Sequence, residues 1–286
     1  MAIMWGRTLV ALADDLLARQ TKSKEDNPNT PLDPFIASYL ADSPKWPNAS
    51  PFGAINRSRR TTRRLSLTTA TPNELLVLAM DQFSRGIFHM PHPNHSPPAS
   101  SSSLPAPSPL PAIKQPPDSF SRAKELFTIG SEVLLISEKL LEPSERQTWG
   151  AWSDSIFSQM KMEADMEVWR APIARARGRC CLIVGAARAE ELEGALESGN
   201  MDVLDTEDAE DAREALVCAI GYLEKARELC EEEDEEGKEE LRSLLVEALV
   251  TLANLTGDVG RREELYAKAQ LEGGEELELE GMDETE

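Results

Sequence analysis

Residues 241–255 read LRSLLVEALVTLANL. Leu241, Leu244, Leu245, Ala248, Leu249, Leu252 and Leu255 recur at intervals of three or four, the spacing of one face of an α-helix. Thr256-Gly257-Asp258 closes that helix and starts a short one over Arg261–Gln270. The same grammar runs backwards along the chain. Leu216, Ala219, Ile220, Leu223, Ala226 and Cys230 form one stripe. Ile173, Ala176, Cys180, Ile183, Val184 and Ala187 form another, behind Pro172. That second stripe is rich in small residues (Ala174, Gly178, Gly185, Ala186, Ala189), which let a neighbouring helix approach closely; packing must then offset about 1 kcal/mol of helix propensity per glycine.

Further upstream, Pro143 opens a helix carrying Trp149, Trp152, Ile156, Met160 and Met166. Before it, Asp118 or Ser119 is placed to cap a helix with the stripe Ala123, Leu126, Phe127, Gly130, Val133, Leu134, Leu140 and Leu141. Strand signals are nearly absent. The expected fold is all-α, an antiparallel helix stack resembling tetratricopeptide repeats. Ala219-x3-Leu223-x2-Ala226 matches the small–large–small signature of the second helix of such a repeat, and Arg262-x3-Tyr266-x2-Ala269 matches two of the three positions. Their separation of 43 residues exceeds the usual spacing by about the size of the acidic insertion Glu231–Glu236 and its flanks.

Four zones follow. Residues 1–42 form an N-terminal helical segment, with Leu9, Leu12, Leu16 and Leu17 at helical spacing and a second apolar stretch at Phe35–Leu40. Residues 43–117 read as a low-complexity linker holding one possible helix at 71–90, built on Leu75, Leu76, Leu78, Ala79, Phe83 and Ile87 behind Pro72. Ten prolines fall between Pro91 and Pro117, with Ser100–Ser103 among them, and such a segment cannot repay its ordering entropy. Residues 118–271 form the helical repeat-like domain, and 272–286 an acidic tail.

The chain has 286 residues and a net charge of −21, and the surplus is one-sided. Residues 1–117 hold 12 basic and 8 acidic side chains, the remainder 18 and 43. That second part repels phosphate backbones and anionic headgroups, which argues against nucleic-acid or membrane binding and for basic protein partners. The longest apolar run, Cys180–Ala187, is too short to span a bilayer. Asp14 and Asp15 break the opening apolar patch and spoil a signal-peptide reading. Cys180, Cys181, Cys218 and Cys230 form no C-x-x-C pair and read as buried reduced thiols of a cytosolic or nuclear protein.

Catalytic signatures are missing. The sequence has no phosphate-cradling G-x-x-x-x-G-K-[ST], no G-x-G-x-x-G behind a strand, no G-x-S-x-G and no H-E-x-x-H. His89, His92 and His95 have a spacing that could hold a metal, but Pro91 and Pro93 interrupt them, and a solvated linker is the better reading. The expectation is a protein without enzymatic activity, metal or cofactor. Arg57, Arg59, Arg60, Arg63 and Arg64 suit a nuclear-import signal or, equally, a solvated basic linker; without interleaved aromatics a nucleic-acid patch is the weaker reading. Trp152, Trp169, Arg170, Arg175 and Arg179 are the candidate partner-binding residues, because Trp and Arg are enriched at interface cores. Arg175 and Arg179, four apart on one helix face, could address an acidic partner or an internal carboxylate row; core packing with internal ion pairs is the competing account, and the favoured one.

Three stretches carry a likeness to a known family: QMKMEADMEVWRAPIARARGRCCLIVGAARAEELEGALE (159–197), YLEKARELCEEE (222–233) and LVEALVTLANLTGDVGRREELYAKAQLEGG (245–274). They resemble the fungal enhancer of translation termination family, also described as a negative regulator of a prolyl-dihydroxylase. The resemblance implies a nuclear, all-helical, tetratricopeptide-like protein without enzymatic activity. It implies binding to an iron- and 2-oxoglutarate-dependent prolyl hydroxylase, a role in correct translation termination, and support of the sterol-regulatory (SREBP) pathway by restraining that hydroxylase. The iron and 2-oxoglutarate would belong to the partner. The alternative from the residues alone is an acidic chaperone of basic ribosomal or nuclear proteins.

Overall fold

The structure is a computed structural model, and it describes residues 1–25, 70–91, 120–163, 166–230 and 235–274. The second apolar stretch at Phe35–Leu40, the arginine cluster at 57–64, most of the Pro/Ser-rich segment, His92, His95, the acidic run at 231–234 and the tail from 275 lie outside the described residues. Among the described residues the chain is all-α, with eight α-helices, and those from Arg122 on pack as an antiparallel stack.

The chain divides into two compact units, Met4–Gln82 and Phe83–Glu286, the latter including Met1–Ile3. In the first lie most of α1 (Ala2–Glu25) and the start of α2 (Pro72–Phe88). Helix α1 buries Val10, Ala13 and Leu17, while Leu9, Leu12 and Leu16 are half-buried on either side of that line. The expected leucine stripe is therefore rotated, with its smaller residues at the closest contact. Helix α2 starts at a reciprocal capping box: the Glu74 amide donates to Thr71 Oγ1 (3.2 Å) and the Thr71 amide to Glu74 Oε2 (2.9 Å).

In the second unit the end of α2, with Phe83, Ile87 and Met90 buried, leads to α3 (Arg122–Ser137). The cap is Ser121, whose hydroxyl accepts from the Lys124 amide at 3.2 Å, and not Asp118 or Ser119. Only the residue directly before the first helical one can reach the third amide of the turn. Because α3 ends at Ser137, Leu141 falls beyond it and is 51% exposed instead of sharing the stripe. Arg122 ties this junction together. Its Nε donates to Glu163 Oε1 (2.8 Å) and its Nη1 to the carbonyls of Ile87 (3.1 Å) and Met90 (3.4 Å), where α2 runs out of partners.

Helix α4 (Pro143–Gln159) has proline in its first turn and ends in a 3₁₀ turn, Met160–Met162. A second 3₁₀ turn, Met166–Trp169, leads into α5 (Arg170–Glu197). Helix α5 begins two residues before Pro172, since proline's missing N–H costs nothing in a first turn. Its buried residues lie all round its circumference, so it is the central helix: it packs on α4 and α6 and touches α3 and α7. Gly199, at φ 80°, ends it, with the Asn200 amide reaching back to the Ala195 carbonyl at 3.1 Å.

After a 3₁₀ turn, Met201–Asp205, the chain forms α6 (Glu207–Leu229), α7 (Glu235–Asn254) and α8 (Val259–Gly273). Thr206 caps α6, and Glu207, Asp208 and Glu210 place negative charge at its positive end. Each helix from α3 on packs on its successor, and α6 and α8, the second helices of their pairs, carry the two repeat-signature matches. Ala219, Leu223 and Ala226 are fully buried in the core with Leu241, Leu245, Leu249 and Leu252 of α7. The closest seam is α5 against α6. A Cβ on Gly178 would stand 2.7 Å from Leu223 Cγ, and one on Gly185 2.6 Å from Leu216 Cγ. All four cysteines are free thiols, but of the four only Cys180 is buried: Cys181 and Cys230 are half-buried, and Cys218 is exposed because it lies off the Leu216–Ala219–Leu223 line of α6.

Candidate functional site

Helices α3, α5 and α7 line a furrow made of two adjoining hollows that share Arg179. The first, about 380 Å³, is mostly apolar: Phe127, Leu134 and Leu135 of α3 face Pro172 and Ala176 of α5. Leu135 is 48% exposed there, an apolar side chain left in water. The second, about 460 Å³, is polar, bounded by Glu138, Arg146, Glu190, Glu240 and Glu247, with Leu182 and Leu244 beneath.

Arg175 and Arg179 do share one face of α5, and that face looks onto carboxylates of the same chain. Arg179 forks onto Glu138, with Nε at 3.0 Å and Nη2 at 2.7 and 2.8 Å, and stands 3.5 Å from Glu240. Arg175 donates to the Gly237 carbonyl at 2.8 Å and lies 3.6 Å from the same Glu240. Arg146 pairs with Glu190 across the far end. Arg175 and Arg179 stitch α3, α5 and α7 into one surface, and Arg146 ties α4 to it. Their side chains keep a fifth to a quarter of their surface in water, so each pair is worth about 1 kcal/mol or less and can be exchanged for a ligand's charges. The carboxylate of Glu247 makes neither hydrogen bond nor ion pair among the described residues; partial burial, then the nearby charge of Glu138, raises its pKa.

The other candidate residues are dispersed. Trp169 packs on Phe127 (ring centroids 5.0 Å) and so supports the apolar hollow from behind; Phe127 in turn meets Phe157 at 5.6 Å. Trp152 belongs to a separate aromatic cluster with Phe83 at 6.2 Å and Trp149 at 6.4 Å, of which Trp149 is fully buried. Arg170 is exposed and pairs with Glu167 at 3.1 Å. His89 is exposed and meets Phe88 edge-on; no three metal-type side chains converge among the described residues. The thiols next to the seam are held protonated. Burial raises Cys180 well above its usual value, and burial followed by Asp154 pushes Cys181 up to about 12.

Sequence reading missed Leu135, Glu138, Glu240 and Glu247. Leu135 follows a stripe residue and falls off its face, which is the one signal available for it. The three glutamates sit among many others, and only the meeting of α3 with α5 and of α5 with α7 singles them out. The fold and site together define an all-α stacked-helix protein with a mixed apolar and charged furrow. The chain matches no family model, no curated protein and no solved structure, and no helix among the described residues is long and apolar enough to cross a membrane.

Proposed function

We propose that the chain is a non-enzymatic nuclear adaptor whose furrow receives a segment of a protein partner. The observation that carries this reading is the hollow holding the exposed Leu135 next to Arg175 and Arg179. An apolar anchor point flanked by exchangeable ion pairs is the composition of an interface core and rim. The partner's identity rests on the family resemblance, which covers roughly residues 118–275. It is an iron- and 2-oxoglutarate-dependent prolyl hydroxylase, restrained on binding, with consequences for translation termination and sterol-regulatory signalling. The furrow supplies the anchor of a stable complex of about 1,600 Å².

The test is capture of the hydroxylase from nuclear extract by the full chain and by Leu135→Glu. The substitution falls at a half-exposed position and leaves the helix content unchanged by circular dichroism. It is expected to weaken binding by about tenfold or more, as loss of a buried anchor does. Failure of the wild-type chain to capture the enzyme, or equal capture by the variant, counts against the reading. The acid surplus beyond residue 117 supports a second reading, a chaperone of basic proteins. Its binding would disappear between about 50 and 200 mM salt and survive Leu135→Glu.

A further inference from the structure

A second cleft lies on the face of α5 roughly opposite Arg175 and Arg179. Arg170, Ile173, Ala174 and Arg177 recur at helical spacing along the first turns of α5, and Tyr222 and Lys225 of α6 and Lys161 of the 3₁₀ turn close a hollow of about 360 Å³. Its lining holds four cations and no carboxylate, in a chain where acidic side chains outnumber basic ones 51 to 30. Arg177 is its fixed member. It is 8% exposed, forks onto Asp154 at 2.6 and 3.1 Å, and its Cζ stands over the Tyr222 ring, 4.4 Å from the centroid. Burial works against its charge more than any other single influence, but the hydrogen bond and charge of Asp154, with the nearby Tyr222 and Cys181, together outweigh it, and its pKa is raised.

This fork leaves Arg177 Nη1 buried with no acceptor, an arrangement native proteins rarely leave unfilled. Asp154 and Glu167 offset Arg177 and Arg170, whereas Lys161 and Lys225 are exposed and make no hydrogen bond or ion pair among the described residues. The start of α5 is also uncapped by any side chain, so its first amides and positive dipole end add to the field. The acidic remainder of the molecule does not cancel this locally, because charges more than about 8 Å away are screened at physiological salt.

We propose that this cleft binds a phosphate monoester, its oxygens taken by Arg177 Nη1, Lys161 and Lys225 and its organic part lying on Tyr222 and Ile173. Two oxygens of one tetrahedral group suit a guanidinium edge and two mobile ammonium groups, and the hollow has room for more than the phosphate.

Isothermal titration of the full chain at physiological ionic strength, where the acidic remainder is screened, tests it, with four probes: O-phosphoserine, a neutral peptide carrying one phosphoserine, the same peptide unphosphorylated, and a peptide of four glutamates. The expected result is saturable binding of the phosphorylated probes, weakened by about tenfold or more in Lys161→Gln/Lys225→Gln. Both positions are exposed, so the double variant stays folded, and Leu135 and the furrow are untouched. Tighter binding of the phosphopeptide than of phosphoserine assigns the site to a protein partner; equal binding assigns it to a small phosphate ester. Absence of saturable binding, equal binding of the glutamate peptide, or binding indifferent to the double variant overturns the proposal.

Discussion

At Gly185 a methyl group would stand 2.6 Å from Leu216 Cγ and 3.2 Å from the Ala212 carbonyl, with Leu216 fully buried and unable to retreat. On the same helix Gly194 has nothing within 4 Å. Alanine therefore acts with opposite sign at the two positions. Gly194→Ala is expected to stabilise by about 0.5–1 kcal/mol through helix propensity. Gly185→Ala gains that same amount and loses about 1–3 kcal/mol to overpacking, for a net destabilisation. Urea denaturation of both variants reads the difference directly. A second residue-scale prediction concerns Glu247, whose pKa in the folded chain is raised. Between its ordinary and its raised value the folded state binds the extra proton, so stability falls as pH climbs through that window. Glu247→Gln should raise the urea midpoint near neutral pH and leave it unchanged below the usual carboxylate range. A gain that persists in acid would point to packing instead of charge.

Among the elements, the junction of α2 with α3 depends on one side chain. Arg122 serves the carbonyl of Ile87 in the last turn of α2, that of Met90 just beyond it, and Glu163, whose side chain is 4% exposed. Removing it strands a buried carboxylate, so Arg122→Ala is expected to cost about 3–5 kcal/mol in chemical denaturation. Arg122→Lys should recover only part, since a point-like ammonium cannot span acceptors arranged for a planar fork. Elements are also where the limits of sequence reading show. The helices from Pro143 onward are legible because their stripes and stop signals agree. The Ser121 cap and the start of α5 at Arg170 were displaced by two or three residues, since cap geometry, not residue type, decides among neighbouring candidates. The small residues of α5 announced a close neighbour, and α6 is that neighbour. Arg175 and Arg179 were legible as a pair; their acceptors were not, because Glu138 and Glu240 lie on helices far apart in sequence.

Over the whole molecule, charge is distributed differently from what composition suggests. The surplus is acidic, yet the arginines of α5 are concentrated inward, holding α3, α4 and α7 around it and leaving a furrow on one face and a cationic cleft on the other. The apolar seam contrasts with these polar ties. Where α5 meets α6, backbone approaches side chain with no intervening Cβ, and Leu216 and Leu223 fill the space completely. Contacts of that density break only when the fold itself is lost, while rim ion pairs and helix ends open far more often. In deuterated buffer the amides of residues 178–187 and 212–226 should accordingly be the last to exchange. Those of α8 and the first turn of α3 should go early, so that the molecule has a slow keel and fast gunwales, and a ligand entering the furrow would register first as slowed exchange along the sides.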